Sequence, residues 1–172
     1  MNANGSYTFT PTAGYTGSVP NLDYTLSDGN GGSDVGRLSI TVNNVNDAPL
    51  ATDDVFSVSQ RQDVIGNIID NDTDTDTPKS SLTITQFTIN GINVTVDPTV
   101  GGTTTIANVG QISISKDGNF TFVPDINFSG KLNDISYTLF DGSLTDIGIL
   151  QIVVIPVPVS YTHLTLPTNR EV

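Results

Sequence analysis

The segment Thr83–Val96, TITQFTINGINVTV, decides the fold class of this chain. Apolar and polar residues alternate on both sides of Asn90-Gly91, which is the pattern of two half-buried β-strands. An Asn-Gly pair between two such runs is a strong signal for a tight β-hairpin, because both residues tolerate a positive φ. The segment Gln111–Pro124, QISISKDGNFTFVP, repeats the pattern around Asp117-Gly118. The sequence therefore predicts antiparallel strands joined by short turns.

Two more segments alternate with the same period, DISYTLFDG at Asp134–Gly142 and DIGILQIVV at Asp146–Val154. Their buried faces are expected to carry one set of side chains: Tyr137, Leu139, Leu150, Ile152 and Val154. About seven short strands separated by turn signals, with no helical pattern, are typical of a sandwich of two sheets. The predicted fold class is all-β, an immunoglobulin-like antiparallel β-sandwich.

The composition narrows the range of functions that this chain could have. The chain has 172 residues, of which 36% are hydrophobic, and a formal net charge of −12. Such a negative charge argues against a nucleic-acid partner, and no apolar run approaches the roughly 20 residues of a membrane span. Every acidic residue except Glu171 is an Asp, and Asp favours turns, caps and metal-binding loops over helix interiors.

The chain contains an internal repeat. NGSYTFTPTAGYTGSVPNLDYTLSDG (Asn4–Gly29) aligns without a gap with DGNFTFVPDINFSGKLNDISYTLFDG (Asp117–Gly142), and Asp34–Val42 aligns with Asp146–Val154. A domain-sized period predicts tandem domains. We expect residues 1–45 to be the C-terminal part of a truncated repeat and residues 46–158 to be a complete one. Residues 159–172 depart from the pattern and are predicted to be a non-native tail, the alternative being a short terminal strand.

Several motifs in one order carry a family resemblance. GSYTFTP (Gly5–Pro11), its copy GNFTFVP (Gly118–Pro124), NVNDAP (Asn44–Pro49) and ATDDVFSV (Ala51–Val58) together resemble the cadherin-like tandem repeats of large bacterial RTX-type surface adhesins, including the VCBS group. The resemblance implies a cadherin-like β-sandwich at the bacterial cell surface or outside the cell. It also implies calcium as cofactor, a spacer or adhesive role stiffened by calcium at domain junctions, and neighbouring repeats, cell-surface glycans or proteins as partners.

The first candidate calcium ligands lie around NVNDAP. Asn44, Asn46 and Asp47 match the junction segment that supplies calcium ligands in cadherins, and Asp53 and Asp54 follow closely. Calcium takes six to eight oxygen ligands, which a short Asn/Asp segment can bring together. The alternative is a simple turn, since all these residue types favour turns.

The second candidate is NIIDNDTDTDTPKSS, Asn67–Ser81. It places carboxylates at alternate positions: Asp70, Asp72, Asp74 and Asp76. On an extended strand they would share a face about 7 Å apart, and each neighbouring pair would repel by roughly 0.6 kcal/mol in water. A cation would remove that repulsion, especially if the segment curls into a loop. An EF-hand is excluded, because its obligatory glycine would be Thr75 or Thr77. The alternative is a solvated acidic loop.

The third candidate is the loop SDGNGGSD, Ser27–Asp34, in which Asp28 and Asp34 could ligate a metal or simply build a turn.

Catalysis has little support, because the chain before residue 159 lacks His, Cys and Glu. We therefore expect a protein that is not an enzyme. Two rival interpretations remain: a calcium-dependent carbohydrate- or host-surface-binding module, and an accessory domain of a secreted hydrolase.

Overall fold

The computed structural model describes residues 1–158, which form β-structure almost throughout. The helical element among these residues is one 3₁₀ turn at Lys79–Ser81. The predicted all-β fold class is confirmed. Between residues 1 and 158 no helix has the length and apolar character that crossing a membrane requires. The predicted non-native tail, residues 159–172, lies outside the described residues.

The chain divides into two compact units, the first spanning Met1–Asn46 and the second beginning at Asp47. The first unit has four strands: β1 (Gly17–Ser18), β2 (Leu22–Ser27), β3 (Ser33–Leu38) and β4 (Thr41–Val42). β1 pairs with β4 and β2 pairs with β3, both antiparallel, so this unit consists of two separate two-stranded ribbons. That the first unit is a truncated repeat and the second a complete one stays a prediction.

The second unit has ten strands in its described part, which ends at residue 158. They are β5 (Asp54–Ser59), β6 (Val64–Asn67), β7 (Thr83–Ile89), β8 (Ile92–Thr95), β9 (Gly102–Ile106), β10 (Gly110–Ile114), β11 (Asn119–Pro124), β12 (Gly130–Lys131), β13 (Ile135–Phe140) and β14 (Thr145–Ile155). One sheet has the order β6-β11-β10-β9. The other has the order β12-β14-β13-β7-β8, with β5 paired to β14.

The core of the second unit lies between its two sheets. The side chains expected on the buried faces of β13 and β14 all have 0% exposure: Tyr137, Leu139, Leu150, Ile152 and Val154. From the opposite sheet, Ile112 and Phe122 are equally inaccessible. Burying one large apolar side chain contributes about 1.5–3 kcal/mol, so this core is the main source of stability for the second unit.

Both predicted hairpins are present. Asn90 and Gly91 have φ values of 53° and 76° and join β7 to β8, as a two-residue turn with two positive φ angles requires. The second turn differs in detail. The Gly118 N–H donates to the Ser115 carbonyl at 3.0 Å, so Lys116 and Asp117 occupy the turn and Gly118, with φ of 78°, follows it. A three-residue loop closed by a glycine of positive φ is the next commonest hairpin connection.

One strand pair departs from the predicted antiparallel arrangement. β5 runs parallel to β14, with Asp54 opposite Leu150 and Ser59 opposite Ile155. Parallel strands need a long crossover connection, which the rest of the second unit supplies here. This pairing places Asp54, the first residue of β5, beside Leu150 in the middle of β14.

Candidate functional site

The acidic segment after β6 forms a loop whose ends are held by apolar side chains. Ile68 and Ile69 are buried directly after β6, and Leu82 is buried directly before β7. The Ile68 N–H donates to the Gly118 carbonyl at 3.0 Å, and the Ile69 N–H donates to Asn67 Oδ1 at 2.8 Å. The two buried ends leave the residues between them to form bends and turns instead of a strand.

The four alternating aspartates of this loop do not share one face. Asp70 is exposed, Asp74 and Asp76 are half-buried, and Asp72 has 0% exposure. The segment curls into a loop instead of extending as a strand, and the carboxylates of Asp72, Asp74 and Asp76 each accept hydrogen bonds from different backbone N–H groups. Their role as metal ligands stays a prediction.

Asp74 and Asp76 organise the loop backbone. Asp74 Oδ1 accepts hydrogen bonds from the N–H groups of Asp76 and Thr77, both at 2.7 Å. Asp76 Oδ2 accepts one from the Asp47 N–H at 2.7 Å. Asp74 Oδ2 is buried and has no hydrogen-bond partner among residues 1–158. A buried carboxylate oxygen without a partner is costly, which makes this atom a candidate cation ligand.

Asp72 is the most enclosed carboxylate of the second unit. Its Oδ1 accepts a hydrogen bond from the Thr52 N–H at 2.7 Å and lies 3.2 Å from the Tyr137 hydroxyl. The ammonium group of Lys79, three residues after Asp76, donates a hydrogen bond to the Asp70 carbonyl. The loop is thus linked both to the segment before β5 and to β13.

The hydroxyl of Tyr137 is surrounded by acceptors. Five oxygen atoms lie within hydrogen-bond distance of Oη: Thr52 O at 3.1 Å, Asp72 Oδ1 at 3.2 Å, Ile68 O at 3.3 Å, and Asp54 Oδ2 and Asp72 Oδ2 at 3.4 Å. A phenol has one proton to donate. The hydrogen bond from Tyr137 therefore satisfies only part of this oxygen cluster, in which two carboxylates and two carbonyls converge.

The pKa values of Asp54, Asp72 and Tyr137 follow from this crowding of acidic and polar groups. Burial first, and the charge of Asp72 second, raise the pKa of the Asp54 carboxyl to about 7. Burial also raises the pKa of Asp72, against the opposing effects of the Thr52 N–H, the Tyr137 hydroxyl and Lys79. The pKa of Tyr137 is raised by burial and then by both carboxylates. Two buried carboxyl groups that resist ionisation together favour either a shared proton or a cation.

Further polar groups surround the start of β5. Asp53 Oδ1 accepts a hydrogen bond from the Ile149 N–H at 3.0 Å, and Asp146 Oδ2 accepts one from the Ala51 N–H at 2.9 Å. The Asn71 amide donates to the carbonyls of Thr52 and Asp53 at 3.1 Å and 3.2 Å. These contacts fix the backbone that presents Asp53 and Asp54.

Sequence reasoning missed three of these residues as site members. Tyr137 was predicted only as a core side chain, and Asn71 carried no signal beyond its place among the aspartates. Asp146 could have been found, because it aligns with Asp34 of the first copy, which was a candidate.

In the first unit, the candidate metal ligands Asp28 and Asp34 accept hydrogen bonds from nearby backbone N–H groups. Asp28 Oδ1 accepts hydrogen bonds from the N–H groups of Asn30 at 2.8 Å and Gly32 at 2.9 Å, which closes the β2–β3 connection. Asp34 Oδ1 accepts one from the Val35 N–H at 2.8 Å. Asn44 and Asn46 are exposed and lie after β4, at the end of this unit.

Calcium, which the family resemblance implies, can be compared with this donor set. Carboxylate and backbone carbonyl oxygens are the ligands that calcium prefers, and the cluster around Tyr137 consists of these alone. In the described part of the chain, no three acidic or histidine side chains are grouped so that they could hold a metal by themselves. The donor chemistry therefore fits calcium, and a bound ion would need backbone carbonyls besides the carboxylates.

Comparisons with known proteins give the family context. Residues 46–156 match the model of the bacterial cadherin-like domain, and residues 1–43 match that of the cadherin-like domain. The calcium-binding lectin RapA2 of Rhizobium johnstonii is 31% identical to this chain over 103 residues. The matched part is 59% of this chain and 42% of the lectin, so the chain spans less than half the length of that relative. The matches confirm the cadherin-like resemblance and indicate a binding or structural domain; membership of the RTX and VCBS groups stays a prediction.

Proposed function

This chain belongs to the bacterial cadherin-like domain family, and on that premise we propose that it is a calcium-stabilised structural and adhesive repeat of a bacterial cell-surface or secreted adhesin. The observation that carries the proposal is the convergence of Asp54, Asp72 and two backbone carbonyls on the single hydroxyl of Tyr137. These acceptors receive hydrogen bonds from the Thr52 N–H, the Asn71 amide and the Tyr137 hydroxyl, but no hydrogen bond removes the negative charge of two buried carboxylates. That charge creates a demand for positive charge, which one lysine, Lys79, meets only in part.

Asp54 and Asp72 would hold the ion, with Asp53 and Asp70 adding negative charge in their vicinity. When bound, calcium would neutralise the charge of Asp72, which otherwise raises the pKa of Asp54. Neighbouring residues of the chain position these ligands. The Thr52 N–H and the Tyr137 hydroxyl orient the Asp72 carboxylate, and the Asn71 amide fixes the backbone leading into Asp53.

The proposed role of the repeat is that of a spacer among neighbouring repeats of the same kind. Extracellular calcium modules have dissociation constants of about 10⁻⁴–10⁻³ M, and at a calcium concentration tenfold above that value one site adds roughly 1.4 kcal/mol to the free energy of unfolding. The gain is modest for one repeat and accumulates along an array. A surface protein built in this way would be stiff in calcium-rich surroundings and more flexible without calcium.

A calorimetric titration of the full chain tests the calcium proposal. After EDTA treatment and its removal, we expect calcium to bind with a dissociation constant of about 10⁻⁴–10⁻³ M and magnesium to bind at least about tenfold more weakly, because magnesium demands a more regular ligand shell. Absence of calcium binding at millimolar concentration would contradict the proposal.

A second candidate function is calcium-dependent recognition of a carbohydrate. The observation that favours it is the similarity to a protein named as a calcium-binding lectin. A glycan array read in calcium and again in EDTA separates the two candidates. Calcium-dependent binding to a defined set of glycans would support recognition, whereas calcium binding without any glycan signal would support the spacer.

A further inference from the structure

A small cavity opens beside the turn between β7 and β8. Its volume is about 90 Å³, and its apolar lining consists of Ile89, Ile106, Val109, Phe128 and Leu132. Protein interiors are close-packed, and voids larger than a water molecule are few. The opening is smaller than the roughly 150 Å³ cavity that accepts benzene, so it can take one small apolar group, such as a methyl group with the atoms next to it.

Three polar side chains complete the lining: Asn90, Lys131 and Asn133. All three residues are exposed, so they form the rim between the apolar lining and solvent. We call the apolar lining and these three side chains together the amide-rimmed cavity. Among the lining residues that the structure describes, none is acidic, and none belongs to the oxygen cluster around Tyr137.

The two amides of the rim are linked to each other and still offer a donor and an acceptor. Asn133 Nδ2 donates a hydrogen bond to Asn90 Oδ1. A side-chain amide has one acceptor oxygen and two N–H donors, so this bond leaves Asn133 Oδ1 and Asn90 Nδ2 for a ligand. The β7–β8 turn holds Asn90 in position, with a φ of 53°. The pair is complementary to a small group that has one N–H, one carbonyl and a methyl beside them.

The charges around the cavity favour a neutral ligand. Lys131 Nζ lies 2.9 Å from Asp134 Oδ1, so the positive charge at the rim is already paired. The chain has a formal net charge of −12, which repels anionic ligands. A phosphorylated or carboxylated ligand would therefore bind less well than an uncharged one.

The internal repeat separates the apolar part of the cavity from its polar part. Leu132 aligns with Val19 of the first copy, so an apolar residue stands at this position in both copies. Asn133 aligns with Pro20, which has no side-chain amide. The Asn133 amide is thus specific to the second unit, whereas the apolar residue beside it is shared.

We propose that the amide-rimmed cavity binds the acetamido group of a neutral N-acetylated sugar. The methyl group enters the apolar lining, the acetamido N–H donates to Asn133 Oδ1, and the Asn90 amide donates to the acetamido carbonyl. The sugar ring stays outside, because the cavity is too small to hold it. This site goes beyond the calcium proposal and does not depend on it, since no acidic side chain lines the cavity.

Saturation-transfer difference NMR of the full chain tests this site. The probe is triacetylchitotriose, and cellotriose is the matched control sugar, because it has hydroxyl groups where the probe has acetamido groups. We expect the strongest saturation on the acetyl methyl protons and a dissociation constant of about 10⁻³ M, since the cavity takes only one small group. Cellotriose should bind at least about tenfold more weakly. The titrations are run in calcium and again in EDTA, and equal binding is expected in both.

Two substitutions at the rim should weaken binding of the acetylated sugar at least about tenfold, each by removing one hydrogen-bonding group. Asn133→Ala removes the acceptor, and Asn90→Gly removes the donor while keeping the turn, because glycine accepts a positive φ. Asn127→Ala is the matched control and should bind as the wild type does, since Asn127 is an exposed amide that does not line the cavity. Urea unfolding of each variant checks that the second unit is still folded.

The proposal is overturned if cellotriose binds as tightly as the acetylated sugar, or if Asn133→Ala and Asn90→Gly bind the acetylated sugar as the wild type does. It is also overturned if the acetylated sugar shows no saturation at about 10 mM, roughly ten times the expected dissociation constant. Loss of binding in EDTA while the second unit stays folded would place the sugar elsewhere. Tighter binding of a peptide that contains acetylated lysine would make a protein the occupant of the cavity instead of a sugar.

Discussion

The hydroxyl oxygen of Tyr137 lies 3.2 Å from Oδ1 of Asp72, a carboxylate with no exposed surface. The same hydroxyl is 3.1 Å from the carbonyl of Thr52 and 3.3 Å from that of Ile68. Tyr137 on β13 therefore connects the segment before β5 with the loop after β6. The carboxylates proposed to bind calcium are held in place by a side chain that is itself part of the core.

Tyr137→Phe should weaken the second unit without disturbing its core, because the ring stays and only the hydroxyl is lost. We expect the free energy of unfolding in EDTA to fall by about 1–3 kcal/mol, the usual cost of leaving buried acceptors without a donor. Urea unfolding of the full chain measures this. Tyr24→Phe, the aligned position of the first unit, is the control and should change unfolding of the second unit by less than about 0.5 kcal/mol. Equal effects of the two substitutions would argue against the role assigned to Tyr137.

Gly148→Ala should also destabilise the second unit. A β-carbon at residue 148 would come within 2.3 Å of Tyr137 Cζ, so the ring or the strand must move. Overpacking of this kind costs about 1–3 kcal/mol, measurable as a lower urea midpoint of the second unit. Gly36→Ala creates the same close approach to Tyr24, at 2.4 Å, in the first unit and should leave that midpoint unchanged. A Gly148→Ala protein as stable as the wild type would show that the ring adapts freely.

Without calcium, stability should fall as the pH rises toward neutrality. Because the pKa of Asp54 is about 7 in the folded protein and 3.8 when unperturbed, the folded state holds a proton that the unfolded chain has lost between these values. We expect the free energy of unfolding in EDTA to fall by about 2 kcal/mol between about pH 5 and pH 8, less than the full shift gives, since Asp72 shares the titration. Urea unfolding across this range measures the slope.

Asp54→Asn provides the comparison for the pH series. An amide cannot ionise, so the variant should lose most of the decline that Asp54 causes. An unchanged slope in this variant would assign the pH dependence to other carboxyl groups.

Much of the fold could be predicted from the sequence, because strands and tight turns depend on residues that are close together in the chain. Alternation of apolar and polar residues identified Thr83–Ile89 and Ile135–Phe140 as strands, and Asn90-Gly91 identified a hairpin. The parallel pairing of β5 with β14 could not be predicted in this way, because it depends on how residues far apart in the chain meet.

The residue types of the candidate site could be predicted from the sequence, but the way in which the structure arranges them could not. Asp70 and Asp72 belong to the same alternating motif, yet one is exposed and the other is fully buried against Tyr137. Nothing in the motif separates them. The difference arises where the loop meets the entry to β5, since the Thr52 N–H binds Asp72 alone of the two.

The measurement that tests the central claim most directly is thermal unfolding of the full chain in EDTA, in millimolar calcium and in millimolar magnesium. The wild type should unfold about 5–10 °C higher in calcium, as an added 1–2 kcal/mol predicts for a domain of this size, with little change in magnesium. Asp72→Asn should lose that rise, whereas Asp63→Asn, an exposed aspartate of the second unit, should keep it. The same unfolding temperature in EDTA and in calcium, or a full calcium effect in Asp72→Asn, would contradict a calcium-stabilised repeat built on the carboxylates around Tyr137.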